Sequence, residues 1–171
     1  MHNTPTRLCA LLLVLTGPAW AASGDLERQQ QRVAERGAKI MPFSLSKTVH
    51  QFVPDADGGI QRVLARDPND SVQIALIRTH LQRIAQQFQQ RDFSAPRAIH
   101  GADMPGLNAL QAAKPEQLAI HYQETASGAE ISYRSADAGV IHALHEWFNA
   151  QVNDHGADAE MAGPHQHHPN H

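Results

Sequence analysis

Cysteine is nearly absent from this chain: the one copy, Cys9, lies inside an N-terminal apolar run. Once that run is removed no disulfide can form within the chain, and no catalytic cysteine remains, so stability must come from a packed core. Long apolar stretches are also scarce. The run over residues 8–15 is too short to span a bilayer, and nothing after it is apolar enough to anchor the chain. Basic residues are in deficit, with 14 Lys and Arg against 17 Asp and Glu. Neutralising nucleic-acid phosphates needs a basic face, so this balance argues against a nucleic-acid partner. A phosphate-binding glycine loop, a Gly-x-Ser-x-Gly elbow and a His-Glu-x-x-His zinc motif are all missing as well.

What the first residues do contain is a leader pattern. Arg7 precedes the apolar run, Thr16-Gly17-Pro18 breaks it, and Ala19-Trp20-Ala21 puts small residues where a signal peptidase reads. Residues 1–21 are therefore expected to be a signal peptide cleaved near Ala21. Thr6-Arg7-Leu8 ahead of Cys9 is not a lipoprotein signature. The expected product is soluble, periplasmic or secreted, without an integral membrane segment. At about 150 residues it has the length of one domain with tails.

The pattern along the chain predicts an α+β fold. Residues 22–41 form an N-terminal helical arm, a surface arm or a partner helix, helical over 25–36 and ended by Gly37. A single domain follows over 42–155, built of two ββα units at 43–90 and 117–153. In the first unit Phe43, Leu45, Val49 and Val53 alternate with Thr48, His50 and Phe52, Asp57-Gly58-Gly59 supplies a hairpin turn, and 60–65 returns as a strand. Asp67-Pro68-Asn69-Asp70 offers a helix start with proline in the first turn. The helix to Gln90 carries Ile74, Ile77, Leu81, Ile84 and Phe88 on one face. The second unit repeats this order, with Leu118, Ile120 and Tyr122, a turn at Ser127-Gly128, and a helix bearing Ile141, Leu144, Phe148 and Val152. The two units predict an antiparallel sheet covered by two long helices. Their connection, 91–116, is long enough to rank as a site, with a short helix near 107–113. Residues 156–171 read as a disordered histidine-rich tail.

Histidine is abundant, at twelve residues, and makes imidazole the main metal-binding and proton-transfer chemistry of the chain. His142 and His145 lie one turn apart on a helix, and His155 follows at its end, a spacing that lets neutral imidazoles share a zinc or copper ion. His50 and His121 sit eight and seven residues before Gly58 and Gly128, in the first strand of each unit. This recurrence leads to the expectation that His50, His100 and His121 converge. In the linker, His100, Asp103 and Met104 form a compact group. Imidazole with a thioether suits copper, and Met41 is a second thioether nearby; imidazole with carboxylate suits zinc or a general acid–base pair of His100 and Asp103. His80 lies at the margin of the first long helix's apolar face. The tail adds His165, His167, His168 and His171, a flexible set suited to metal capture. For each histidine, packing at the core edge or exposure to solvent is the alternative.

The combination of Arg36-Gly37, Met41-Pro42-Phe43, Thr48, His50, Asp92-Phe93-Ser94, Ile99-His100-Gly101, Met104-Pro105-Gly106 and the 144–155 segment resembles a group of small exported bacterial proteins. The resemblance covers most of the chain after the leader. That group has no established activity, and some members carry the label aspartate carbamoyltransferase. The transferase's Ser-Thr-Arg-Thr-Arg loop is absent here, where only the fragment Ile77-Arg78-Thr79-His80 resembles it.

These features lead to the expectation of a soluble periplasmic protein that buffers or delivers copper or zinc through histidines. Its partners are metal ions, with a periplasmic protein as a further candidate. A small enzyme using histidine acid–base or metal-assisted chemistry is the alternative, followed by a non-catalytic interaction module.

Overall fold

Alternation over residues 48–65 folds into two antiparallel strands, β1 (Thr48–Asp55) and β2 (Gly58–Ala65), paired from Thr48↔Ala65 to Asp55↔Gly58. The computed structural model describes residues 19–163. Over that span it is α+β, with five helices and a five-stranded mixed sheet. The expected leader through residue 18 and the histidines from His165 onward lie outside the described residues.

The best-patterned helix is α2 (Ser71–Gln89). Its predicted stripe, Ile74, Ile77, Leu81, Ile84 and Phe88, is buried, as expected of residues that recur on one face. The start differs from expectation. Asp67-Pro68-Asn69 forms a separate turn, and Asp70 is the N-cap, accepting from the Gln73 amide at 3.1 Å. The linker contains two short helices, α3 (Ser94–His100) and α4 (Leu107–Ala112). Pro96 fits the first turn of α3 because an amide there has no intrahelical partner. Then come β3 (Ala119–Thr125), β4 (Gly128–Arg134), α5 (Ala138–His155) and β5 (Ala159–Met161).

The strand order is β3-β4-β2-β1-β5, antiparallel except for the β1–β5 pair. Each long helix crosses away from the strand it follows. Helix α2 packs on β4 and β3 as well as β2, whereas α5 packs on β2, β1 and β5. Both lie on one face, over a core that includes Phe52, Val63, Ile131, Tyr133, Trp147 and Phe148. This crossing brings the C-terminal end of α5 over the first residues of β1.

Two expectations are corrected at the ends of the domain. Helix α1 (Ala19–Ile40) runs through Gly37, past its expected end, and packs on the domain in the manner of a partner helix. Val33 on it is buried, and α1 packs on α5 and α3. Gly37 is itself buried, and a Cβ there would only touch Leu45 and Met41, so its small size serves packing rather than termination. Residues 156–163 are likewise not a tail. Ala159 pairs beside His50, and the Ala162 amide donates to the Phe52 carbonyl at 2.9 Å. A three-residue strand held by main-chain bonds leaves no apolar period to read in a sequence. Among the described residues no helix is long and apolar enough to cross a membrane.

Candidate functional site

Helix α5 is started by Asp137, whose carboxylate accepts from the Gly139 and Val140 amides at 2.8 and 3.2 Å. It ends at His155, where Gly156 turns the chain with φ +56. The His155 ring stacks on that of His50, with centres 4.9 Å apart and planes 8° apart. It also lies edge-on to His100 at 4.9 Å. His100 is the last residue of α3, and its Nδ1 donates to Asp154 Oδ2 at 2.8 Å. That bond leaves Nε2 as the bare nitrogen of the neutral ring. Gln29 of α1 donates to the same carboxylate oxygen at 3.2 Å and to the His100 carbonyl at 3.3 Å. Four elements therefore build the cluster: α1, β1, α3 and the end of α5.

Burial sets the protonation states. His50 is pushed down to about 4, chiefly because burial penalises its cation, partly offset by the Asp158 carbonyl. His155 is lowered well below the usual imidazole range by burial, then by His50 and His100 beside it. His80 on α2 is pushed down to about 4 by burial and by Arg83, whose guanidinium donates to His80 Nδ1 at 3.2 Å. That contact puts the proton of neutral His80 on Nε2.

Beside the cluster is a mostly apolar cavity of about 50 Å³, with Met41, His50, His80, His100, Trp147 and Gln151 among its lining residues. Two lining residues carry buried polar atoms without a hydrogen-bond partner, His50 Nδ1 and Trp147 Nε1. A buried unpartnered polar atom is costly, and in functional sites it commonly marks where something binds.

The structure joins His50, His100 and His155 and separates the other sequence candidates from them. His121 is exposed on the edge strand β3, three strands from β1. Ile120 is the inward residue there, so the seven-residue offset to the turn places His121 on the opposite face from His50, with its eight-residue offset. His142 is exposed and faces Glu146 Oε1 at 3.5 Å. His145 Nε2 donates to the Gly58 carbonyl at 2.8 Å, tying α5 to the first hairpin. The helix pair thus points two ways. Asp103 is exposed and not bonded to His100, whose carboxylate partner is Asp154; Met104 packs in the core cluster. In the fragment Ile77-Arg78-Thr79-His80, Arg78 donates to the carbonyls of Thr125 and Gly128, so its guanidinium is occupied in closing the second hairpin.

Sequence reasoning missed Asp154 and Gln29. Asp154 had a signal, adjacency to His155, whereas Gln29 looked like one of many polar residues on a charged helix. Among the described residues, no three His, Cys, Asp or Glu side chains converge as they stand on one metal position. No protein-family model, curated protein or solved structure matches this chain.

Proposed function

We propose that this is an exported, histidine-based metal-binding protein that buffers or delivers copper or zinc in the periplasm. The observation that carries the reading is the clustering of His50 and His100 around His155, each with its ring centre 4.9 Å from that of His155. Neutral imidazole is the form that ligates zinc and copper, and burial keeps His50 and His155 in that form at neutral pH. Asp154 holds His100 as outer carboxylates hold metal-bound histidines. His165, His167, His168 and His171, which lie outside the described residues, would add further, weaker sites.

Metal analysis of protein purified without a tag or immobilised-metal column tests this, followed by titration of the His155→Ala variant. The expected result is a tight site weakened about tenfold or more, in a protein that still folds. High-affinity binding unchanged in that variant overturns the assignment.

The His100–Asp154 bond at 2.8 Å favours a second reading, a small enzyme in which the carboxylate orients His100 as a general base. Turnover of a small substrate that disappears in His100→Ala, with no metal required, would favour it over the first.

A further inference from the structure

The cavity lining is unusual in mixing imidazole with a thioether. Met41, just after α1, shares the cavity with His50 of β1 and His100 of α3. Each of the two imidazoles has a nitrogen to give. His50 Nδ1 is buried without a partner, and His100 Nε2 is the nitrogen left bare when Nδ1 donates to Asp154. The third lining imidazole, His80, is committed differently, because its Nδ1 accepts from Arg83. Asp154 is committed to His100 and Gln29. Most of the remaining wall is apolar, with Phe43, Leu81 and Ile99 among its residues, and is a poor setting for a strongly hydrated cation.

A structural zinc site closes with four nitrogen, sulfur or oxygen ligands in a tetrahedron. The cavity lining instead includes two imidazoles with an uncommitted nitrogen, His50 and His100, and one thioether, Met41, a small set of the kind that suits reduced copper. We infer that the cavity is a cuprous-ion site whose donors are His50 Nδ1, His100 Nε2 and the sulfur of Met41. This rests on the metal-binding reading above and narrows it to one ion. His155, stacked on the donor His50 and edge-on to the donor His100, holds these two rings in place and is not itself a donor.

The experiment uses the full chain with alanine at His165, His167, His168 and His171, so that the tail contributes no background. Cu(I) is titrated anaerobically against a chromophoric chelator, and Zn(II) is titrated in parallel, for this protein and for its Met41→Leu variant. Leucine conserves volume and removes the sulfur. One tightly held Cu(I) is expected, with affinity falling about tenfold or more in Met41→Leu while Zn(II) affinity stays within about threefold. X-ray absorption at the copper edge is expected to show sulfur among the ligands of the bound ion, which keeps the inference testable if Met41→Leu fails to fold. Tight Zn(II) with weak Cu(I), or Cu(I) bound without sulfur, overturns the copper site and leaves the general metal-binding reading standing. Retention of neither ion overturns both.

Discussion

The imidazoles of His50 and His155 stack 4.9 Å apart with planes 8° from parallel, although one comes from the first strand and the other from the last residue of the last helix. The contact exists because α5, following the β3–β4 hairpin, crosses to lie over β2 and β1. His50 is thereby sealed from water, and the end of α5 becomes a wall of the site.

If the proposed metal site exists, Asp154→Asn is expected to weaken it by about tenfold, since loss of a carboxylate that holds a metal-bound histidine typically costs 10–100-fold. Asp103→Asn, at an exposed carboxylate without a bond to His100, is expected to leave affinity unchanged. Competition titration of both variants checks this. Equal effects would mean that Asp154 does not orient His100.

The stability of the metal-free protein should fall on acidification. His80 is lowered from 6.5 to about 4 in the folded state, so between those values the unfolded chain binds the extra proton. Its contribution is fully present above about pH 6.5 and is lost as pH falls toward 4, at a cost on the order of 3 kcal/mol. His80→Gln, which cannot titrate, should give a flatter dependence. Urea melts at pH 7 and pH 4.5 measure the difference; parallel curves for the two proteins contradict the assignment.

Gly106→Ala should destabilise the fold by about 3 kcal/mol or more. Gly106 has φ +74, and a Cβ there would lie 1.9 Å from the Ala143 carbonyl oxygen on α5. This glycine lets the turn before α4 meet the helix backbone directly. A thermal melt within a degree or two of the parent would show that the contact can relax.

The His145→Ala change should cost about 1 kcal/mol through loss of the bond to the Gly58 carbonyl. Combined with His142→Ala it should still leave binding at the proposed metal site intact, because neither ring reaches the His155 cluster. Chemical denaturation and metal titration of the double variant separate the two roles. Loss of the tight site would restore the helix pair as its ligands.

Local pattern alone determined those elements whose burial repeats along the chain. The α2 stripe and the alternation of β1 and β2 are legible because one face of each must leave water. Histidine abundance singled out the imidazoles, of which the fold packs His50, His100 and His155 together. The inward face of β1 was a tertiary decision, since Phe52 on one side and Val53 on the other are both apolar and both buried. The helices over β1 settled it in favour of Thr48, His50 and Phe52. Parity carried a partial clue, because offsets of eight and seven to the two turns already put His50 and His121 on opposite faces. The pairing of β5 with β1, the bond from Asp154 to His100 and the reach of Gln29 across to both depend on segments far apart in the chain. Only packing brings such groups within hydrogen-bonding distance, and no local period records it.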